Sequence, residues 1–325
     1  MDMILALAAM LAELATGYPQ RIFRRIGHPV SWIGAGIAAA DRNWNRERRT
    51  PAARFAAGAL LVVLLLAGSV AIGLAFEMVL ALSASGTVAF LAIAIAMGTL
   101  IAQRSLHDHV LAVAEAMETE GLEAGRQALS LVVGRDTQAL DGAGVVRAAI
   151  ESLAENFSDG VVAPVVWLAV AGPAGAIAYK AVNTADSMIG HRTARHEAFG
   201  KAAARLDDLI NLPASRLAAV LIALAALVQP GARCRDAIRT VMRDARQHRS
   251  PNAGWPEAAV AGALGIRLSG PRVYGGVPSS DAAINAGGRA NLVPADIHRA
   301  LALYRRADAL LIGLLALGAV LQWAL

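Results

Sequence analysis

The sequence predicts an all-α fold, namely a polytopic integral membrane helical bundle with a broken or re-entrant central helical hairpin and amphipathic cytoplasmic helices. Hydrophobic residues make up 56% of the 325 residues, and the mean hydropathy is +0.50. Several apolar runs approach or exceed the roughly 20 residues that a helix needs to cross a bilayer. A Gly-Pro sequence interrupts the central run, and membrane helices break at such sequences. This composition favours one membrane-embedded domain over residues 1–325 rather than two soluble domains.

The charged residues are mostly arginines that flank the apolar runs. The net charge is +5, and Lys180 and Lys201 are the only lysines. Arginine beside membrane segments is explained first by topology, so we expect no nucleic-acid partner. The single cysteine, Cys234, excludes an internal disulfide and any multi-cysteine metal site.

The N-terminal half contains three apolar segments. Residues 3–15 are short for a full span and predict a marginal or tilted first membrane helix. The arginine-rich segment 41–54 is predicted to be cytoplasmic. Residues 55–82 predict the clearest transmembrane helix, and residues 87–102 return after a short turn, so the two form a helical hairpin. Residues 103–147 are polar and amphipathic.

The C-terminal half leaves the membrane topology open. Residues 158–184 predict the broken or re-entrant hairpin, and residues 307–325 predict a final span. Many arginines assign residues 231–306 to the cytoplasm. If 158–184 re-enters while 213–229 crosses, however, the arginine-rich segment would lie outside. Either both segments cross or neither crosses completely.

Residues 151–211 place carboxylate and amide side chains among these apolar segments. Glu151, Glu155 and Asp159 recur every four residues and would share one face of a helix, with Asn156 beside it. Carboxylates beside a bilayer are costly to desolvate and usually mark a functional interior. We therefore expect a polar site at the membrane. The alternative is that these faces only pack helix against helix.

A second polar group follows the Gly-Pro break. Asn183 and Asp186 are three residues apart, and Asp207 and Asn211 are four apart. A straight helix from Glu155 to Asn183 would place the two groups about 40 Å apart. A break would fold the chain back, so we expect both groups in one cavity.

The sequence contains no familiar nucleotide-binding loop. The P-loop pattern is absent, and Gly142-Ala143-Gly144 lacks the third glycine of a dinucleotide fingerprint. A nucleotide would therefore be held by arginines and by a metal on oxygen ligands. The candidates are Asp186, Asp207 and Asp208 for the metal and Arg135, Asn183, Arg192 and Arg205 for cofactor binding. Each arginine could equally form a surface ion pair.

Six segments resemble the CobD/CbiB family of cobalamin-biosynthesis proteins, which are membrane adenosylcobinamide-phosphate synthases. They are GHPVSWIG at 27–34, VGRDT at 133–137, ESLAENFSDGVVAP at 151–164, YKAVNTADSMIGH at 179–191, FGKAAARLDDLIN at 199–211 and SPNAGWPEAAVAGALGI at 250–266. These segments follow the family order from end to end. Near the N-terminus, Glu13 and Gly17-Tyr18-Pro19 stand where the family tends to carry aspartate and a Gly-Asp-Pro turn.

The resemblance implies ATP-dependent amide formation between a propionate of adenosylcobyric acid and the amine of aminopropanol or aminopropanol phosphate. It implies ATP and Mg²⁺ as cofactors, and a multi-pass protein in the lipid bilayer of the bacterial inner membrane. A homo-oligomer, or a complex with other corrinoid-pathway membrane enzymes, is compatible with this assignment.

Such a ligase would activate the carboxylate by phosphorylation and let the amine attack the acyl phosphate. The site must neutralise phosphate charge and remove a proton from the amine. The expected roles are metal binding for Asp186, Asp207 and Asp208, phosphate binding for Arg135, Arg192 and Arg205, and base or amine-orienting work for Glu155 or Glu151, with Asn156 and Asp159 completing the catalytic group.

Two other functions remain open at this point. In a prenyltransferase-like membrane enzyme, Asn183-x-x-Asp186 and Asp207-Asp208 would hold a magnesium diphosphate. In a transporter of a corrinoid or another small molecule, broken helices with buried carboxylates would form the substrate site. No inverted repeat is visible in the sequence, which disfavours the transporter.

Two structural expectations accompany the site. Residues 250–276 are rich in glycine and proline, yet Trp255 needs a surface to pack against, so this segment should cover the site. Asp207 is the better metal candidate because it shares a helix face with Asn211, whereas Asp208 would pair with Arg205 or Arg192.

Overall fold

The computed structural model describes residues 2–18, 23–25, 27–134, 136–270, 272–274, 277–279 and 282–324. The chain divides into two compact units. Unit 1 comprises Met1–Ala102, Ala163–Asn211 and Leu315–Leu325, and unit 2 comprises Gln103–Val162 and Leu212–Leu314. A single membrane-embedded domain over residues 1–325 stays a prediction.

Helices form most of the described chain. In order they are α1 (Met3–Thr16), α2 (Pro29–Trp44), α3 (Pro51–Leu82), α4 (Gly86–Gly98), α5 (Gln103–Thr119), α6 (Leu122–Ser130), α7 (Gly142–Asn156), a π-helix (Phe157–Val162), α8 (Ala163–Ile189), α9 (Lys201–Ile210), α10 (Leu212–Ala225), α11 (Cys234–Asp244), a 3₁₀ turn (Ala245–Gln247), α12 (Gly254–Leu264) and α13 (Pro294–Ala324). Four short strands, β1 (Leu268–Ser269), β2 (Arg272–Tyr274), β3 (Val277–Ser279) and β4 (Ala283–Ile284), pair antiparallel as β1 with β4 and β2 with β3.

The described residues contain four helical stretches long and apolar enough to cross a membrane. They are Pro51–Leu82, Gly86–Thr119, Gly142–Ile189 and Pro294–Ala324, and α9 with α10 would add a fifth if that bent pair forms one span. The N-terminal helix α1 is apolar but shorter. The predicted all-α multi-pass membrane fold is confirmed.

The sequence of α3 explains where this helix begins and why its apolar side chains are exposed. Pro51 occupies the first turn, where a missing N–H costs no hydrogen bond, and the Thr50 hydroxyl caps the helix by accepting from the Ala53 amide. Large apolar side chains such as Leu74 and Met78 are exposed, as expected for a helix that faces lipid. The predicted helix over 55–82 is thus confirmed and begins four residues earlier.

The central helix α8 is broken where the sequence predicts. Ala171 and Gly172 have non-helical dihedral angles, and the φ of +60° at Gly172 favours glycine. A β-carbon on Gly175 would lie 2.5 Å from the carbonyl oxygen of Trp167. Eight residues of straight helix would separate these two positions by about 12 Å. The chain therefore bends sharply at Gly172-Pro173, and the predicted broken hairpin is confirmed.

The second half of α8 is fixed within unit 1 by an apolar cluster. Ala185 and Ile189 of α8 pack with Ile37 of α2, Leu61 of α3 and Phe199 before α9. This core brings α8 beside α9, the two helices that carry Asn183, Asp186, Asp207 and Asp208. Helix α8 is interrupted at Gly172, and α10 follows α9 after a bend of 43°, so neither segment is part of one straight span.

Unit 2 is built around α12, which the sequence did not predict as a helix. Proline and glycine suggested a loop-rich segment over 250–276, but Gly254–Leu264 is helical and nearly all its residues are buried. Pro256 is tolerated because it lies in the first turn. The helix packs on α7, α10 and α11. The segment is therefore not detached, and Trp255 is covered by the Arg216 guanidinium at 4.4 Å.

Candidate functional site

The predicted polar residues of unit 1 form a hydrogen-bonded group around Asp207. The Asn183 side-chain amide donates to Asp207 Oδ1 at 3.3 Å, and the Asn211 amide donates to Asp207 Oδ2 at 3.0 Å. Tyr179 donates its hydroxyl to Asn211 Oδ1 at 2.9 Å. Asp207 is only 7% exposed and Asn211 is fully buried. We call these four residues the Asp207 network.

Helical spacing explains how the network forms. Tyr179 and Asn183 are one turn apart on α8, and Asp207 and Asn211 are one turn apart at the end of α9. The expected shared face of Asp207 and Asn211 is confirmed by the hydrogen bond between their side chains. Tyr179 was missed as a member, although its position four residues before Asn183 is a signal that could have found it.

Three carboxylates lie near one another at this network. Asp186 interacts electrostatically with Asp207 and Asp208, and Asp208 is attracted to the Arg192 guanidinium. Asp186 is half-buried and Asp208 is exposed, so both can reach a ligand that Asp207 cannot reach as easily. Asp208 therefore lies within electrostatic reach of Arg192, and a direct ion pair between them stays a prediction.

The loop that carries Arg192 is anchored to α2. Arg195 donates to Asp41 Oδ2 through Nε at 3.0 Å and Nη2 at 2.8 Å, and Asn45 donates to Asp41 Oδ1 at 2.7 Å. Arg54 binds the Arg195 carbonyl and Asn45 Oδ1. We call Asp41, Asn45, Arg54 and Arg195 the loop anchor.

The electrostatics of the loop anchor favour ionised Asp41. Burial alone would raise the pKa of Asp41, but the hydrogen bonds from Asn45 and Arg195 and the nearby positive charge outweigh it and lower this pKa below its ordinary value. The anchor was not predicted, because Asp41 and Arg195 are 154 residues apart in a chain where each arginine had a simpler topological explanation.

The predicted catalytic residues belong to unit 2, and their surroundings differ from those of the Asp207 network. Glu151 is 5% exposed, and its Oε1 accepts a hydrogen bond from the Ser269 backbone amide at 2.7 Å. Asn156 donates to the Ser152 carbonyl and hydroxyl oxygens at 2.9 and 3.1 Å. Glu155 is exposed. Residues 268–269 thus cover Glu151, which agrees with the expectation that segment 250–276 covers predicted site residues.

Asp159 departs from the simple helical pattern. It lies in the π-helix Phe157–Val162, where hydrogen bonds run five residues apart, so the helix is wider there than an ideal α-helix. That Asp159 shares a face with Glu151 and Glu155 stays a prediction. Single π-helical turns inside α-helices are frequent at functional sites, which supports keeping Asp159 as a candidate.

Arg135 and Arg205 complete the set of predicted site residues. Arg135 lies outside the described residues, and Arg205 is exposed on α9. The roles assigned to all eleven site residues, and the single cavity expected for both polar groups, stay predictions.

The oxygen ligands of unit 1 suit Mg²⁺ chemically. Carboxylate and amide oxygens are the ligands that Mg²⁺ prefers, and it is commonly held by one or two carboxylates together with substrate phosphates. In the part of the chain that the structure describes, no three His, Cys, Asp or Glu side chains form a group that could hold a metal ion. One or two of these carboxylates could bind a Mg²⁺ ion that substrate phosphates also hold.

A family model described as CobD/Cbib protein matches residues 6–304. The chain belongs to the CobD/CbiB family. The resemblance seen in the six sequence segments is thus confirmed.

Curated relatives match nearly the whole chain. The cobalamin biosynthesis protein CobD of Rhodobacter capsulatus is 50% identical over 308 residues, covering 94% of each chain. The protein of the same name from a Sinorhizobium species is 47% identical over 312 residues, covering 96% of each chain. That of Brucella suis is 45% identical over 307 residues, covering 94% of this chain and 93% of the relative. No solved structure matches the chain. Membership of this family supports a role in cobalamin biosynthesis.

Proposed function

We propose that this protein joins adenosylcobyric acid to aminopropanol or aminopropanol phosphate in an ATP-dependent reaction that yields adenosylcobinamide or its phosphate. The observation that carries this proposal is the match of more than nine-tenths of the chain to relatives named cobalamin biosynthesis protein CobD. The carboxylates and amides around Asp207 support it, because amide formation from a carboxylate requires a site that can hold a phosphorylated substrate.

The reaction has two bond-forming steps. A propionate oxygen of the corrinoid attacks the terminal phosphorus of ATP, which releases ADP and gives an acyl phosphate. The amine nitrogen then attacks the acyl carbon, the carbon–oxygen bond to phosphate breaks, and inorganic phosphate leaves. The nitrogen loses one proton to a base. Positioning and charge stabilisation supply most of the rate enhancement in phosphoryl transfer, so the protein must hold the reactants in line.

Asp186, Asp207 and Asp208 would contribute ligands to Mg²⁺ together with the substrate phosphates, and the bound ion would neutralise the charge that develops on those phosphates. Asp207 already accepts hydrogen bonds from Asn183 and Asn211, but a carboxylate offers about four lone-pair sites, so two remain for a metal. The amides fix the orientation of the Asp207 carboxylate before substrate binds.

Arg192 and Arg205 would bind phosphate oxygens. Both are exposed, and the loop anchor holds the segment that carries Arg192 close to Asp208. Arginine suits this role because its guanidinium can donate two parallel hydrogen bonds to a phosphate. Arg135 and Asn183 keep their proposed cofactor-binding roles.

Glu155 is the stronger candidate for the base that receives the amine proton. It is exposed and can reach a substrate, whereas Glu151 is buried and holds the Ser269 amide. Glu151 would then orient the segment that covers it. Asn156 and Asp159 would orient the amine.

The proposal is tested with the purified full-length protein in lipid nanodiscs, given adenosylcobyric acid, MgATP and either aminopropanol or aminopropanol phosphate. Mass spectrometry should detect the amide product only when ATP is present. A product formed equally well without ATP would overturn the ligase mechanism. Uptake of the corrinoid into proteoliposomes without any chemical change would favour the transporter instead.

A further inference from the structure

Helix α11 of unit 2 carries a strong positive charge on the outside of the protein. Residues 233–249 contain six arginines and two aspartates. Asp244 is already bound by Arg243 at 2.6 Å, and Asp236 lies 3.7 Å from Arg233 and 3.8 Å from Arg239. The arginines therefore exceed the acidic side chains that could neutralise them within this segment.

The two faces of α11 differ sharply. Its inner face, which includes Ala237 and Thr240, is buried, and the helix packs against α12. On the outside, Ile238 is 52% exposed and Met242 is 75% exposed, and these residues are one helical turn apart. Arg235 and Arg239, also one turn apart, are exposed beside them. An apolar strip bordered by arginines is typical of helices that lie in the headgroup region of a bilayer.

The chain that leads into α11 has an apolar surface of its own. Large apolar side chains are exposed along α10 and just after its end, namely Val220, Leu224, Leu227 and Val228. Helix α11 begins nine residues after α10 ends. A run of exposed apolar side chains on a helix of a membrane protein is suited to lipid.

Gln229 marks the level at which this apolar surface ends. Its side-chain amide donates to the Arg299 carbonyl of α13 at 3.0 Å, and its Oε1 accepts from Arg306 at 3.5 Å. On α13, exposed apolar side chains begin shortly after Arg306, at Leu310. Two helices of unit 2 therefore change from apolar to basic surface at the same level, and α11 starts only five residues beyond Gln229.

We propose that α11 lies on the membrane surface, with Ile238 and Met242 among the lipid headgroups and with Arg235 and Arg239 bound to the phosphates of anionic phospholipids. Charge complementarity and continuity with the apolar surface of α10 both favour this occupant over a second copy of the chain. Such a helix would fix the level of unit 2 relative to the bilayer, and this inference does not depend on the reaction proposed above.

The proposal is tested by the depth of a spin label on α11. Because Cys234 is the only cysteine, a Cys234→Ser background allows a single label at Met242→Cys in the full chain, and Gln127→Cys on α6 provides an exposed control position. Power saturation measures how accessible the label is to oxygen and to a water-soluble nickel chelate. The measurement is made in nanodiscs of phosphatidylcholine alone and of phosphatidylcholine with phosphatidylglycerol. The label at 242 should be more accessible to oxygen than to nickel, increasingly so as the anionic lipid rises, whereas the label at 127 should remain accessible to nickel.

The charge dependence is tested by Arg239→Gln in the labelled protein, with Arg104→Gln on α5 as the matched control. Loss of one interfacial arginine should raise the anionic-lipid fraction needed for half-maximal burial of the label at position 242, by up to about fivefold. The control substitution should leave this fraction unchanged. Nickel accessibility at 242 equal to that at 127 in every lipid mixture would overturn the proposal. Spin–spin broadening that shows two copies meeting at position 242 would also overturn it.

Discussion

Asp207 is the residue on which the candidate metal site depends. It is buried, its two oxygens accept amide hydrogen bonds, and Asp186 and Asp208 lie close enough to repel it. Ionised carboxylates in one region repel one another, and a bound cation would compensate their charge. This arrangement is the reason for proposing Mg²⁺ binding.

Asp207→Asn and Asp208→Asn should distinguish the roles of the two neighbouring carboxylates in Mg²⁺ binding. Asp207→Asn keeps the shape and removes one charge, so the Mg²⁺ concentration for half-maximal amide formation should rise about tenfold or more while the fold survives. Asp208→Asn should have a smaller effect, because Asp208 is exposed and is balanced by Arg192. The measurement is activity across a magnesium titration for each variant. Wild-type activity of Asp207→Asn at limiting Mg²⁺ would show that the pair is structural.

Tyr179→Phe tests whether the hydrogen bond from Tyr179 to Asn211 helps to orient Asp207. The change removes the buried hydrogen bond to Asn211 Oδ1 and should lower the free energy of unfolding by about 1 kcal/mol. It should also raise the Mg²⁺ requirement, because Asn211 then orients Asp207 less firmly. Tyr304→Phe is the matched control, since it removes a buried hydrogen bond to the Gln103 carbonyl in unit 2. If both variants lose stability equally and neither changes the Mg²⁺ titration, the network has no role in metal binding.

Asp41→Asn tests the loop anchor through the pH dependence of the protein's stability. The folded-state pKa of Asp41 is lowered, so its contribution to stability is present above the unfolded pKa of about 3.9 and is lost as the pH falls through the folded pKa. Asp41→Asn should therefore be less stable than the wild type at pH 7, and the difference should shrink below about pH 4. Thermal unfolding from pH 7 to pH 3 measures this. A difference that stays constant over that range would contradict the ionised anchor.

At the scale of elements, the break in α8 decides how unit 1 is arranged. Both Trp167 and Tyr179 approach the end of α9, through hydrogen bonds to the Ile210 carbonyl and to Asn211. The close approach of Gly175 to the Trp167 carbonyl leaves no room for a side chain at position 175. The packing that holds α9 against α8 therefore depends on this glycine.

Gly175→Ala should destabilise the protein by roughly 1–3 kcal/mol, because a β-carbon would crowd backbone atoms that cannot move aside easily. Gly68→Ala in α3 is the matched control, since no atom lies within 4 Å of a β-carbon there and alanine favours helix. Thermal unfolding in detergent compares the two. Equal stability of both variants would contradict the sharp bend.

The sequence predicted the elements whose signal is local. Hydropathy located α3, and Gly172-Pro173 located the break in α8, because apolar length and backbone chemistry act through neighbouring residues. Helix α12 was missed because its glycine and proline favour loops on their own, and only burial against α7, α10 and α11 makes it helical. The Asp41–Arg195 pair was missed because contacts between distant residues leave no periodic pattern in a single sequence.

At the scale of the whole molecule, the two polar groups belong to different compact units. The Asp207 network lies in unit 1, and Glu151 and Glu155 lie in unit 2. Their meeting in one cavity stays a prediction from the sequence. The proposed reaction joins their roles, because one group would hold the phosphates and the other would accept the proton of the amine.

In the proposed reaction, ATP activates the corrinoid carboxylate as an acyl phosphate. The most direct measurement uses adenosylcobyric acid labelled with ¹⁸O in the reacting propionate, with MgATP and the amine, followed by mass spectrometry of the released phosphate. The account predicts one ¹⁸O atom in each inorganic phosphate, with ADP and amide formed in equal amounts. Amide formed while the phosphate stays unlabelled would contradict it.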